Sequence, residues 1–502
     1  MQEALFHSKS TSTKRSYSSA VLYHFAAVLA FCWLMLMVLW DNPMDWEGIL
    51  RRGDIFLLVG LALLMALGVL WIGSRRRDFD PLEIVYPITA LYILHFPMRA
   101  MFIMLWTGEV RLPFNWPVNS EAYTAFALGL SILGMLFFYL GYFWFGSSRV
   151  LSFVPRIPFR WTERYLTLKI LILYGLGLSA FVVLFSGGLA LRFQPSPDRA
   201  SQSFYSQFLL LGTLRLYALF LALANKDRSI LSLLLALGLL VTEASLGFLI
   251  GSKQAIFQTL LAVVLVYHYV LQRDWRRIVL VIGVVFLFGF FPLVQNYRAV
   301  YKAVFGFRPD PTLGDIVGAA SELPDELGDS SSNWVYDTVE GIGKRANNLD
   351  SLTMVIRYVP EVVEFQRGTT LNLIFAGFIP RPIWPDKPVL KLGRFMTTDI
   401  VGSDSPTSKP VTDVGEFYLN YGILGVPIGM FLLGMTFRAI YAYVWRSYKS
   451  RIFQTMYYLA VFPIMLFNPH SGVASVFVAL VRTTLVVLVV TFFLSRGAIK
   501  AS

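Results

Sequence analysis

The run Ile278-Val279-Leu280-Val281-Ile282-Gly283-Val284-Val285-Phe286-Leu287-Phe288-Gly289-Phe290-Phe291 contains no charged residue, and it extends from Arg277 to Tyr297. A helix crosses a bilayer with about 20 apolar residues at a rise of 1.5 Å each, so this run is a span. At Arg298 the character changes. Residues 298–418 are polar and dense in charge, and apolar runs resume only at 419. Apolar runs alone would suggest a carrier or a scaffold. One large charged segment set between them points instead to chemistry at a membrane surface.

Working outward, eleven more runs have the same character, at about 20–40, 55–73, 83–105, 122–145, 166–186, 206–224, 229–250, 254–271, 419–442, 453–469 and 473–495. Pro87, Pro97 and Arg99 interrupt the run at 83–105. The chain of 502 residues is 56% hydrophobic and only 15% charged, where soluble domains carry about a quarter charged residues. The expected fold is therefore an all-α integral membrane protein with twelve transmembrane helices. The order would be a tail at 1–19, nine helices within 20–297, the large segment at 298–418, three helices within 419–495 and a tail at 496–502. Cys32, inside the first run, is the single cysteine, which excludes an intrachain disulfide and a cysteine metal cluster.

Lysine and arginine sort onto alternate sides of this pattern. The tails and the short connections at 75–77, 149–164, 226–228, 273–277 and 446–451 hold twenty of them. The opposite short connections hold six: Arg51, Arg52, Arg111, Arg192, Arg199 and Lys253. Basic residues near span ends stay cytoplasmic, so both termini are expected inside and 298–418 outside. The net charge of +12 is thus spent at membrane edges, and no nucleic-acid partner is expected.

Ionisable residues inside spans are costly and commonly mark functional cavities. Lys169 and Arg438 fall near cytoplasmic ends, where snorkelling explains them. Arg99, Arg215, Glu243, Lys253, Arg298, Glu416, His470 and Arg482 gather toward the outer half, which predicts a polar cavity open to the outer leaflet. Within 298–418, Leu349, Leu352, Ile356, Val359 and Val363 recur at helical spacing over 343–366. That stripe fits either a membrane surface or a core of the segment itself.

The C-terminal half carries a string Pro380-Arg381-Pro382-Ile383-Trp384-Pro385-Asp386-Lys387-Pro388, followed by Gly415-Glu416-Phe417-Tyr418-Leu419-Asn420-Tyr421-Gly422 and Gly425. Arg345 with Asp350 precede these strings, and Gly251-Ser252-Lys253 and Tyr297-Arg298 lie upstream. With these motifs the stretch 340–435 resembles the Wzy-type O-antigen and oligosaccharide repeat-unit polymerases. The resemblance implies a glycosyltransferase in a bacterial cytoplasmic membrane that moves a growing glycan from undecaprenyl diphosphate to another lipid-linked repeat. It implies membrane lipids, a flippase and a chain-length regulator as partners. The related ligases often carry a histidine in the large outer loop, whereas none of the five histidines here lies within 298–418.

Such a transfer needs fixed cations at the leaving diphosphate and a base at the acceptor hydroxyl. Arginine suits phosphate because its planar fork donates two parallel hydrogen bonds. Arg298 and Arg381 are the leading cations, with Lys253, Arg345, Lys387 and Arg394 as further contacts to substrate. Glu416 is the leading base, with His470 and Glu243 as alternatives, and an ion pair with a loop arginine is its competing role. Tyr418 and Asn420 would hold sugar hydroxyls, and Trp384 would stack on a sugar face or anchor the segment at the interface. No metal or cofactor is expected. The acidic pair Asp78-Phe79-Asp80 lies on a short cytoplasmic connection and is expected to be a solvated charge cluster. A lipid-linked oligosaccharide flippase, an O-antigen-type ligase and a non-catalytic assembly component remain as alternatives.

Overall fold

The structure, a computed structural model, describes residues 53–76, 79–105, 121–144, 161–186, 210–227, 229–273, 276–305, 346–379, 392–400, 410–467 and 472–495. It also describes isolated positions at 157, 159, 208, 384 and 402 and six within 314–322. The run at 20–40 with Cys32, and most of the acidic stretch at 314–333, lie outside the described residues.

Every regular element among the described residues is helical. In chain order they are α1 (Gly53–Arg75), α2 (Val85–His95), α3 (Pro97–Leu105), α4 (Glu121–Trp144), α5 (Leu166–Ser186), α6 (Leu214–Ala224), α7 (Ile230–Leu249) and α8 (Lys253–Leu265). Then follow α9 (Arg276–Val284), α10 (Phe291–Phe305), α11 (Asn348–Tyr358), α12 (Thr369–Phe378), α13 (Leu392–Phe395), α14 (Asp413–Ser447), α15 (Arg451–Phe467) and α16 (Val473–Ser495). Among the described residues nine helices are long and apolar enough to cross a membrane, and Leu210–Ala224 and Arg451–Phe467 are shorter apolar helices. The run at 83–105 is two helices. Pro97 opens α3, where its missing N–H costs nothing, and the break falls at Phe96.

The long helices are apolar nearly all round, the composition of helices that face lipid. In α1 the buried positions are Ile55, Val59, Ala62, Ala66 and Gly73, while Leu57, Leu61 and Leu64 are exposed. Without a hydrophobic drive between helices, small residues go to the contacts and leucine goes to lipid. The same rule governs α4 against α14. A Cβ on Gly434 would collide with the carbonyl oxygen of Phe138, and one on Gly141 with that of Phe431.

The element that reads as the start of a span at 419 does not begin there. It begins at Asp413 and reverses at Gly422, whose φ of 65° and ψ of −153° are open to glycine. A Cβ on Gly425 would lie 2.5 Å from the carbonyl oxygen of Phe417, eight residues back, where a straight helix would set them about 12 Å apart. Residues 413–421 therefore form a first arm folded against the second arm, 423–447. Val414 of the first arm and Val426 and Met430 of the second all meet Gly134, near the middle of α4.

Two further short helices stand among the long ones. Helix α11 has 11 residues, buried from Asn348 through Ile356, and packs on α4 and α14. Its apolar stripe is thus set into the bundle rather than onto a membrane surface, and it ends one residue before Val359-Pro360, where proline disfavours helix. Helix α12 has 10 residues and runs along α16, from Thr370 near Val473 to Gly377 against Val478. At 1.5 Å per residue these pieces are about 15 Å long, half of a bilayer core. Much of the segment read as a loop outside the helices is therefore folded in among them.

Gly434→Ala is expected to lower the melting temperature of the purified protein in detergent, at an overpacking cost of about 1–3 kcal/mol. Gly60→Ala, whose methyl would meet open space, should leave it unchanged. Equal melting curves for the two variants would show that α4 and α14 are not in tight contact.

Candidate functional site

Glu416 lies on the first arm of α14 and is 1% exposed. Thr370 Oγ1 of α12 donates to its Oε1 at 2.9 Å, and the backbone N–H of Val473, first residue of α16, donates to its Oε2. A carboxylate on a helix N-terminus answers both the unpaired N–H and the helix dipole. Asn420 completes the node. Its Nδ2 donates to Thr370 Oγ1 at 2.7 Å and to the Glu416 carbonyl at 2.8 Å, while its Oδ1 accepts from Gly368 N at 2.8 Å. Glu416 and Asn420 do share a face, as their spacing predicts. The node is not at the start of a span, however, and both carboxylate oxygens are already bonded. Glu416 joins three helices, and Asn420 fixes the entry to α12, so neither has the open position of a base or a sugar contact.

One turn deeper, Thr412 caps the arm by accepting from Gly415 N at 3.0 Å. Asp413 beside it is buried, and its Oδ1 makes no hydrogen bond. It borders an internal cavity of about 80 Å³ with His95, Asn348, Phe138 and Phe437. Nearby, Arg99 does not open onto a cavity. Its Nε and Nη2 grip Asp350 of α11 at 3.0 and 2.6 Å, a bidentate pair sealed at 1% and 0% exposure. Arg482 likewise has a partner, donating at 2.8 Å to the carbonyl of Gly377 at the C-terminal end of α12. A cation there meets the orphan carbonyls of a half-length helix.

A larger cavity does lie at the end of the bundle that carries the Gly251 turn. Its volume is about 240 Å³, and its walls include Phe181, Arg215, Glu243, Ser252, Gln254, Gln258, Thr259 and Thr483. Arg215 Nε stands 3.7 Å from Glu243 Oε1, an ion pair too long for a hydrogen bond. Glu243 Oε1 and Arg215 Nη1 make none elsewhere. The guanidinium also sits 4.5 Å over the Phe181 ring. Of the eight charged residues expected to line one polar cavity, Arg215 and Glu243 stand in this wall, and Glu243 is its carboxylate.

Lys253 belongs to the first turn of α8 but faces α10, where Nζ donates to Gln295 Oε1 at 3.0 Å and lies 3.3 Å over the Phe291 ring. Arg298 follows Gln295 by three residues on α10, so the two cations share that stretch. Tyr418 is buried, with its hydroxyl 3.4 Å from the Val359 carbonyl and its ring against Phe365, which is packing rather than sugar contact. Arg394 is half-buried on α13, and Trp384 is 40% exposed. Arg345, Arg381, Lys387 and His470 lie outside the described residues.

At the opposite end of the bundle two expectations fail. Lys169 does not snorkel; it is buried and donates at 2.8 Å to the carbonyl of Leu494 at the end of α16. Arg438 does not snorkel either, since Nη1 bonds Glu83 Oε1 at 2.6 Å beside the Tyr142 hydroxyl. Asp80 is no solvated charge: His268 Nε2 lies 3.3 Å away, and the hydroxyls of Tyr269 and Tyr441 donate to it. Burial alone would raise its carboxyl, but His268 and the two tyrosines hold it below the usual carboxylate range. Asp78 lies outside the described residues.

Glu416→Gln keeps the shape but turns one acceptor into a donor that faces an N–H or a hydroxyl. It should cost about 1.5–3 kcal/mol, as for a hydrogen bond to a charged group, and lower the melting temperature of the purified protein. A wild-type melting curve would release Glu416 from this structural role.

No solved structure matches the chain. One family, described as "Domain of unknown function (DUF8712)", matches residues 168–490, which runs from the first turn of α5 into α16 and takes in all three half-length pieces. That match covers more than half of the sequence, and the chain belongs to this family.

Proposed function

We propose that the chain is a membrane glycosyltransferase that polymerises lipid-linked oligosaccharide repeat units. It would transfer the growing glycan from undecaprenyl diphosphate to a new lipid-linked repeat at the outer face of the cytoplasmic membrane. The observation that carries this reading is the polar cavity walled by Arg215 and Glu243 near one end of a bundle of apolar helices. A polyprenyl-linked substrate keeps its tail in lipid and its head at the membrane edge, so its reacting bond lies at that depth. Glu243 takes the role of base in place of Glu416, because it lines the cavity while both Glu416 oxygens are engaged in joining helices. Lys253 and Arg298, together with Arg381, Lys387, Arg345 and Arg394 of the large segment, are the cations for the leaving diphosphate. The full fold in this reading has twelve transmembrane helices, both termini cytoplasmic, and the segment at 298–418 entering from outside.

A second reading, a lipid-linked oligosaccharide flippase, is favoured by one specific observation. Hydrogen-bonded polar groups recur from just before α2 to the first turn of α3. They run from Glu83 with Tyr142, through Thr89 with Tyr139 and Tyr92 with Ser131, to Arg99 with Asp350. Half-length helices that end inside a bundle are also how carriers place polar backbone at mid-depth.

Cells lacking the protein separate the two readings. Single-repeat products support a polymerase, cytoplasmic build-up of lipid-linked repeats supports a flippase, and unattached long polymer supports a ligase. In the polymerase case Glu243→Gln should cut chain extension about 10²–10³-fold, measured at a temperature where the variant is still folded by its melting curve. Full-length ladders from that variant would remove Glu243 from the chemistry.

Sidedness is tested separately. In a Cys32→Ala background, Ser331→Cys should react with a membrane-impermeant maleimide once the outer envelope is opened. Labelling only after the cytoplasmic membrane is breached would invert the topology and place the cavity on the wrong face.

A further inference from the structure

We propose that the Arg215–Glu243 cavity is a subsite for one neutral sugar ring of the lipid-linked glycan and not for its phosphate. The inference rests on the glycan-transferase reading and assigns the ligand class within it.

Size comes first. The cavity of about 240 Å³ equals roughly eight waters at ~30 Å³ each, and it is below the ~300–1,000 Å³ that encloses a drug-sized ligand. One sugar ring fits, and a disaccharide does not. Charge comes second. Arg215 and Glu243, the Arg and the Glu of the wall, stand 3.7 Å apart as an ion pair, so the pair has no net charge to offer an anion. A phosphate drawn to the guanidinium would meet the carboxylate at once, whereas a neutral hydroxyl donates to one and accepts from the other. Hydrogen-bonding capacity comes third. The amides of Gln254 and Gln258 in the wall each supply donors and an acceptor, and Ser252, Thr213 and Thr259 add hydroxyls. The remaining wall, with Phe181 among its apolar residues, suits the C–H faces of a pyranose.

The test uses the full chain in nanodiscs with two photoactivatable alkyl probes, a β-glucoside and a phosphate monoester, and maps the crosslinks by mass spectrometry. The glucoside should label the segments 212–217 and 254–259, and the phosphate should not. Gln258→Leu should reduce that labelling about tenfold, the loss of one hydrogen bond, without changing the melting curve. Gln254→Leu serves the same purpose if Gln258→Leu melts early. Phosphate labelling of these segments, or no glucoside labelling, would overturn the subsite. Overturning it in a protein whose deletion leaves single-repeat products would still leave the polymerase reading in place. Glucoside labelling in a protein whose deletion gives the flippase pattern would keep the subsite and remove the polymerase.

Discussion

The carboxylate of Glu416 is the point at which this architecture closes. Three short pieces of chain end inside the bundle, and each end leaves N–H or C=O groups that lipid cannot satisfy. Glu416 answers the first N–H of α16 and the hydroxyl of Thr370 at once, so the first arm of α14, α12 and α16 are fixed by a single side chain. Arg482 does the complementary work at the other end of α12, and Thr412 caps the foot of the arm. Asp350 carries α11 into the same assembly through its paired bonds to Arg99. Removing one partner from such a buried pair leaves an uncompensated charge, which typically costs about 3–5 kcal/mol.

These polar ties explain why the larger cavity stands apart from them. Most charges in the bundle are used to seat helices, and their hydrogen bonds are short and complete. The pair of Arg215 and Glu243 is different, because its members are close but not bonded and both retain free capacity. The wall thus differs from the structural pairs in satisfaction rather than in residue type. Composition cannot separate an arginine that fastens a helix from one that waits for a ligand.

That limit describes what the sequence made legible. The long helices were plain, because a run of about 20 apolar residues has few other fates. The runs read at 55–73 and 473–495 correspond closely to Gly53–Arg75 and Val473–Ser495. Charges inside spans are rarely placed without cause, but of the set read as one cavity only Arg215 and Glu243 line the larger cavity, while Arg99, Glu416 and Arg482 tie helices together. The half-length helices were not legible. Ten or eleven residues fall below the length at which hydropathy speaks, and α11, buried on all sides, reads as a stripe. The reversal at Gly422 was hidden because the apolar run read at 419–442 passes straight through it. Its signals were local: Thr412-Asp413 as a helix start, and Gly422, Gly425 and Gly429 as a close approach. The pairing of Arg99 with Asp350 joins residues 251 positions apart, a contact that no local pattern encodes.

The partners that complete α12 and the first arm have a consequence for how the chain is made. Both Val473 and Arg482 lie well over fifty residues downstream of the groups they satisfy in α12 or the arm. A nascent helix of ten residues with bare ends cannot leave the insertion channel for lipid by itself. The segment from α12 to the arm is therefore fully satisfied only with α16 in place. Truncation before α16 would leave Glu416 and the Gly377 carbonyl without these partners, so a helix far downstream completes the interior of a segment made well before it.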